Sequence, residues 1–416
     1  MPMKAAVVKS NSNIEIKNIE NPPVGPGDIL VKMRACGICG SDVEKVFGKY
    51  GQPSMRLGHE PAGIITQVGD AYLKEAVFYK CKDCEFPGYS TEPECHNCGK
   101  EDADKVVLKV GDRVFTHHHV ACYSDDCHEC NHGNETMCKK YYESNLEPCG
   151  LADEYIVPEW NVKHGGVLKI PDSMSFEEAA MIEPLACCIR AWNKFTDKKR
   201  ISENLSRIGT GDFESLLDLD SIAILGVGPT GIMHALLAKM YGFGRIFCVD
   251  VNEFRLDFVD SIFGDVAPQG IGDSAPQGTA PRFVTINASG PSPLEILKSE
   301  TANQGVDVVI VATSSLNALK DAVTFVRKGG TIVMFGVPSK GAIIDLDMSE
   351  IYSKGVTIVN SYAASDMDTK DALEKISSKQ INVSQLITHK YNLEECQQAF
   401  MHAKSGDNAM KIIISN

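Results

Sequence analysis

The chain has 416 residues, 41 basic against 55 acidic side chains, a formal net charge of −14, and 43% hydrophobic residues. That composition is too apolar for a disordered chain, and the acidity argues against general binding to nucleic acid or anionic membrane. No apolar run approaches the roughly 18 residues of a membrane span, and the N-terminus has no export-signal core, so two or three cytoplasmic domains are expected.

Residues 3–8, 13–18, 28–36 and 60–68 are short runs rich in Val, Ile and Ala, separated by Pro, Gly and Asn, and predict a barrel-like β domain. Residues 71–106 are dense in Cys, Lys, Asp and Glu and read as an insertion. Residues 107–155 return to strand and loop. Residues 175–195 have helical spacing, with Phe176, Ala179, Ala180, Ile182 and Leu185 near one face. From Ser221 onward apolar strands alternate with helices: 221–225, 231–241, 245–249, 253–263, then 306–312, 316–326, 331–335 and 357–360. This alternation predicts βαβ units and a parallel sheet. Residues 201–219 read as a second insertion and 268–281 as a surface loop. The last fifty residues predict one helix at 370–377 and a final strand at 410–414. The fold class is α/β, a β-rich part followed by a doubly wound parallel sheet.

The strand at 221–225 runs into Gly226-Val227-Gly228-Pro229-Thr230-Gly231 and then a helix, with Asp250 at the end of the next strand. Strand, turn, helix and acidic residue together make a dinucleotide site. Gly226 gives the tight turn, Gly228 lets backbone approach a pyrophosphate, and Gly231 permits close helix packing. The helix N-terminus offers free N–H groups to the phosphates. Asp250 can accept from the ribose hydroxyls and would repel a 2′-phosphate, so NAD is expected over NADP. Arg255 keeps NADP open. Pro229, Thr230, Val251, Ala312, Thr313, Gly336 and Val337 are the further candidate cofactor contacts.

The chain holds 15 cysteines, an odd number that argues for metal ligands or reactive thiols rather than disulfides. Three segments carry a candidate catalytic metal: Gly37-Ile38-Cys39-Gly40-Ser41-Asp42, Gly58-His59-Glu60-Pro61, and Glu183-Pro184-Leu185-Ala186. Cys, His and carboxylate are the donors of a zinc site that keeps an open position. Cys36 and Cys39 alone also read as a redox pair.

Together with the nucleotide motif, these segments make the chain similar to the zinc-dependent medium-chain dehydrogenase/reductase (alcohol dehydrogenase) family. The polyol, sorbitol-type branch is the most similar. The resemblance implies a GroES-like β-barrel catalytic domain over 1–190 and 362–416, with the zinc-ribbon-like insertion at 71–106, a Rossmann NAD-binding domain over 191–361, and an enzyme transferring hydride between a secondary alcohol and NAD(H). It implies Cys39, His59 and Glu60 as zinc ligands, with Glu183 facing the metal directly or through water. Ser41 would take the alcohol proton and Asp42 would orient His59. The family often has a relay histidine where this chain has Glu44, so Glu44 or water is expected to continue the relay. It also implies a homodimer or homotetramer, with residues 343–346 a candidate sheet edge.

Cys122, Cys127, Cys130 and Cys138 fit the family's structural zinc loop, although its first spacing is longer here. Cys81, Cys84, Cys95 and Cys98, inside the first insertion, have zinc-ribbon spacing and are expected to hold a third metal, zinc or iron. Cys149, Cys187, Cys188, Cys248 and Cys396 read as small core residues. His117, His118 and His119 are expected on a strand and not as ligands. Phe47, Tyr50 and His118 are candidate pocket walls. A reductase for small aldehydes or semialdehydes, and a metal- or redox-sensing protein on the same fold, are the rival readings.

Overall fold

The computed structural model describes residues 2–9, 12–48, 56–72, 75–81, 103–196, 221–264, 281–290 and 292–416. They form two compact units, Met1–Ala186 with Ala363–Asn416, and Cys187–Tyr362. The first break falls inside the helix Ile182–Phe195, at 186/187 rather than at 190/191.

In the first unit a seven-stranded sheet runs in the order Ile387–Tyr391, Lys411–Ser415, Ile29–Gly37, Glu60–Val68, Arg113–Thr116 and Val167–Lys169, with Glu154–Val157 also paired to Ile29–Gly37. Ile29, Val31, Met33 and Ala35 are fully buried at alternate positions, the period-two signature of a strand with one face on a core. Ile65, Val114, Tyr155 and Val167 from the neighbouring strands complete that core. Ile29–Gly37 and Glu60–Val68 are antiparallel, with Gly37 opposite Glu60, so the end of one strand lies beside the start of the other. Met3–Val8 pairs with Ile14–Ile19, and Glu75–Cys81 pairs with Ala103–Lys109, with Cys81 opposite Ala103.

Three expectations need correction here. The helix expected over 175–195 is two helices, Phe176–Ala179 and Ile182–Phe195. Ser175 opens the first with a capping box. Pro184 lacks the N–H a continuous helix needs and its ring would collide with the carbonyl of Ala180, so the chain restarts with Pro184 in a first turn. The C-terminal stretch holds two helices, Asp366–Ser377 and Cys396–Ser405, and two strands, where one of each was expected. Finally, His117, His118 and His119 lie beyond the strand Arg113–Thr116.

The second unit is a six-stranded parallel sheet in the order Arg282–Asn287, Arg245–Asp250, Ser221–Leu225, Val306–Val311, Val326–Met334 and Thr357–Asn360. Counted along the chain this is 3-2-1-4-5-6, the doubly wound order, whose reversal between Ser221–Leu225 and Val306–Val311 is the switch point at which such sheets bind ligands. The strand Arg282–Asn287 escaped the sequence reading because it is an edge strand, only half-buried. Residues 343–346 are not a strand; Ile343 is 86% exposed while Ile344 and Leu346 pack on the core, and the sheet edge is Thr357–Asn360. The insertion at 201–219 and nearly all of the loop at 268–281 lie outside the described residues.

Candidate metal centre and nucleotide-binding turn

Cys39 caps the helix Gly40–Phe47 just after the strand Ile29–Gly37, and His59 precedes the strand Glu60–Val68. Because these strand ends are register partners, ligand atoms of Cys39, His59 and Glu60 lie within 4.8 Å of one another. His59 Nδ1 donates to Asp42 Oδ2 at 3.0 Å, which leaves Nε2 as the free lone pair. Asp42 is wholly buried and also accepts from Lys45 Nζ at 2.8 Å and the Gly58 N–H at 3.2 Å. Burial opposes its charge, but the His59 imidazole and Lys45 ammonium outweigh that and hold the carboxyl well below the usual carboxylate range.

Glu60 is fully buried and ion-pairs with Lys411, itself 4% exposed. Beyond that pair, its two oxygens make no hydrogen bond among the described residues. Burial raises the Glu60 carboxyl pKa; Lys411 opposes the rise and the charge of Glu183 adds to it. A thiol, an imidazole nitrogen fixed by a carboxylate, and a buried carboxylate with unfilled lone pairs are the donors zinc takes. Glu183 is buried in the first turn of its helix, outside the close set of three, but near enough to act on Glu60 and Lys411. Sequence reasoning missed Lys411; its signal was a lone cation opening the otherwise apolar run Lys411-Ile412-Ile413-Ile414.

Ser41 is exposed and its Oγ donates to Cys39 Sγ at 3.3 Å. Glu44 is also exposed, and its carboxyl lies against Gly48 at the far end of the same helix. Phe47 packs on the barrel core under Lys404, whose Nζ is 4.6 Å from the ring centroid. Tyr50 lies outside the described residues. His118 flanks the metal centre, its ring 5.0 Å from that of His59. Burial, and then the neighbouring His119, push the His118 pKa well below its ordinary value.

The sulfurs of Cys122, Cys127, Cys130 and Cys138 form a second cluster, with Sγ separations of 3.8 Å (Cys122–Cys130), 3.8 Å (Cys127–Cys138) and 3.4 Å (Cys122–Cys138). Tetrahedral zinc with Zn–S of about 2.3 Å places its sulfurs about 3.8 Å apart, so the lobe fits that ion. Burial pushes the Cys122 thiol up to about 11, so a metal entering here must displace protons. Of the remaining cysteines, Cys36, Cys149, Cys188, Cys248 and Cys396 are buried, while Cys187 is only half-buried. Cys84, Cys95, Cys98 and the side chain of Cys81 lie outside the described residues.

In the second unit the strand Ser221–Leu225 leads through Gly226 and Val227 to the helix Pro229–Met240, capped by Gly228 with Pro229 in its first turn. A Cβ on Gly231 would sit 2.0 Å from the Gly226 carbonyl oxygen, so the helix can approach the turn this closely only without a side chain. Asp250 does more than the sequence suggested. Its Oδ2 accepts from the Val227 N–H at 2.8 Å, and its Oδ1 from the N–H groups of Val251 and Asn252 at 2.8 and 3.0 Å. It thereby ties the glycine turn to the end of the next strand. Arg255 Nη1 stands 3.5 Å from Asp250 Oδ2. A recess lined by Val311, Thr313, Ser315, Met334 and Gly336 opens at the C-terminal ends of the strands Val306–Val311 and Val326–Met334, and Ala312 lies in the chain between two of its lining residues. Val251, just after the strand Arg245–Asp250, and Val337, after the strand Val326–Met334, are 65% and 68% exposed.

A family model described as the alcohol dehydrogenase GroES-like domain matches residues 25–172, and one described as zinc-binding dehydrogenase matches residues 229–378. The sorbitol dehydrogenase of Bacillus subtilis is 28% identical over 99% of this chain and 97% of its own. The L-threonine 3-dehydrogenase of Pseudoalteromonas atlantica is 24% identical over 98% of both. The crystal structure of the Bacillus subtilis butanediol dehydrogenase superposes with a TM-score of 0.71 at 20% identity, covering 100% of this chain and 99% of that one. No helix among the described residues is long and apolar enough to cross a membrane. With both domain models, a nucleotide turn at a switch point and zinc-type donors in one place, the chain belongs to the zinc-dependent medium-chain dehydrogenase/reductase family, as an oxidoreductase of the alcohol/polyol dehydrogenase type.

Proposed function

We propose that the chain oxidises a secondary alcohol of a polyol or sugar-like substrate to the ketone, with NAD as hydride acceptor, and that Cys39, His59 and Glu60 hold the catalytic zinc. Zinc, when bound, supplies the Lewis acidity that lowers the pKa of a bound alcohol, and the nicotinamide supplies the hydride chemistry. The protein's own residues do the rest. Asp42 holds His59 in the tautomer and orientation a ligand needs. Glu183 adds negative charge beside the set. Ser41 Oγ takes the alcohol proton; the Glu44 carboxyl is turned to Gly48, which favours water as the next acceptor. Asp250 braces the turn that receives the pyrophosphate, and its charge favours NAD over NADP.

Cys122, Cys127, Cys130 and Cys138 are proposed to hold a structural zinc, and Cys81, Cys84, Cys95 and Cys98 a third metal on the strength of their spacing. The edge strand Thr357–Asn360 is largely exposed, with Ile343 86%, Tyr352 89% and Tyr362 45% exposed in the same unit. An unpaired apolar edge of this kind favours a homodimer built by pairing with a second copy.

The observation that carries the catalytic reading is the convergence of a thiol, a carboxylate-oriented imidazole and a buried carboxylate within 4.8 Å. Its test is NAD reduction by a panel of polyols with and without a zinc chelator. Turnover that the chelator abolishes supports the reading. An inert protein that still binds zinc and NAD rejects it in favour of a sensing role.

A further inference from the structure

The lobe that carries Cys122, Cys127, Cys130 and Cys138 also carries two histidines with no role in the chemistry above. His128 opens the short helix His128–Asn131, and His132 caps its far end. Both are exposed, and their rings stack with centroids 4.2 Å apart and planes 21° from parallel. Residues four apart on a helix lie on adjoining turns of one face, with Cβ atoms about 5–6 Å apart.

The backbone that sets this spacing is fastened on both sides. The Cys127 N–H donates to the Ser124 carbonyl at 2.9 Å, the Asn131 N–H to the Cys127 carbonyl at 3.0 Å, and the Asn134 N–H to the Glu129 carbonyl at 2.8 Å. Asn131 Nδ2 also donates to the Asp125 carbonyl. The two imidazoles are therefore carried by a preset turn.

Their nitrogens are open. His132 Nδ1 is 2.7 Å from the His128 carbonyl oxygen. A carbonyl only accepts, so the proton is on Nδ1 and the lone pair on Nε2, the tautomer a backbone carbonyl fixes in metal-binding histidines. No described residue bonds His132 Nε2 or either ring nitrogen of His128. The ring pair His389 and His402 differs, because His402 spends Nδ1 on the Tyr391 hydroxyl at 2.8 Å and Nε2 on the Asp407 carbonyl at 2.7 Å. Around His128 and His132 the charge favours a cation. Residues 125–137 include Asp125, Asp126, Glu129 and Glu135 and no Lys or Arg.

We propose that His128 and His132 form a surface chelate for a divalent late first-row transition ion, separate from the four-thiol set. Imidazole nitrogen is a donor that such ions take. Two nitrogens bound side by side at about 2.0–2.1 Å from one ion stand about 3 Å apart, and exposed side chains reach that by turning about their own bonds. Water fills the remaining positions. The chelate ties residue 128 to residue 132 and stiffens the turn that presents Cys127 and Cys130.

The test titrates nickel(II) into the untagged, full-length, zinc-loaded protein by calorimetry, with the zinc content measured before and after. One nickel per chain is expected, with zinc retained. Magnesium, which prefers oxygen donors, should not bind in its place. Loss of a mere supporting partner of a ligand costs 10–100-fold in metal affinity, so His128→Asn and His132→Asn, each removing a ligand, should weaken nickel binding about tenfold or more. Amide hydrogen exchange over residues 127–134 should slow when nickel is added to the wild type, and should not change in either variant. Nickel bound equally well by both variants overturns the chelate, as does nickel that replaces zinc one for one. Magnesium binding as tight as nickel binding would assign the position to the carboxylates and likewise overturns it.

Discussion

Lys411 and Glu60 form an ion pair with both side chains closed to solvent, at 4% and 0% exposure. The space they occupy is reserved, since a Cβ on Gly37 would stand 1.8 Å from Glu60 Oε2. In the metal-free protein the pair keeps a buried carboxylate compensated, and a metal that takes Glu60 must share it with the ammonium. Lys411→Met should therefore destabilise the zinc-free protein by about 3–5 kcal/mol, the usual cost of leaving one member of a buried pair. The zinc-loaded protein should lose less, because the metal replaces the lost cation, and zinc affinity should rise. Denaturant unfolding of both forms and zinc competition with a chromogenic chelator measure this. A loss equal in the two forms would show that Lys411 and the metal do not share Glu60.

Asp42 orients His59, the proposed second ligand. It is the sole described partner of His59 Nδ1 and is itself held by Lys45 and the Gly58 amide. Asp42→Asn keeps the shape but removes the charge that fixes the imidazole. Partners of this kind are worth 10–100-fold in metal affinity, so zinc binding should weaken by about that factor, read by the same competition. Unaltered affinity would mean that His59 does not ligate through Nε2.

Much of this site was legible in the sequence, for a physical reason. Cys39, His59 and the glycine turn are short, local signals, and the strands that deliver them carry clean alternating apolar patterns. Lys411 was not legible: it lies 351 positions from Glu60, and only the pairing of Lys411–Ser415 with Ile29–Gly37 brings the two together. The split at Pro184 was available in principle, because proline in a helical pattern ends or restarts the helix. The edge strand Arg282–Asn287 was hidden by half-burial, which erases the apolar run expected of a central parallel strand.

In the proposed nucleotide site the choice between NAD and NADP turns on Asp250 and Arg255, whose guanidinium stands 3.5 Å from Asp250 Oδ2. Asp250→Asn removes the charge that repels a 2′-phosphate and releases Arg255 to pair with it. The NADP-to-NAD affinity ratio should rise about tenfold or more, some 1.4 kcal/mol. Overall NAD affinity should also fall, because the side chain that accepts three backbone N–H groups loses its charge. Fluorescence titration with NADH and NADPH gives both numbers. An unmoved ratio would place cofactor discrimination elsewhere.

His234 makes a distinct contribution to the pH dependence of stability. It is fully buried in the helix Pro229–Met240, accepts from Trp192 Nε1 at 3.1 Å, and meets the Phe335 ring edge-on at 4.6 Å. Burial lowers its pKa to about 3. In the unfolded chain the same imidazole titrates near 6.5. Between these values the unfolded state binds a proton that the folded state refuses, so this contribution to stability is full above pH 6.5 and shrinks as pH falls. The loss is about 1.4 kcal/mol per pH unit. His234→Gln keeps an acceptor for the Trp192 N–H but does not titrate. From pH 8 to pH 5 the wild type should lose about 2 kcal/mol more than the variant in denaturant unfolding. Parallel stability curves would show that His234 takes up its proton without unfolding.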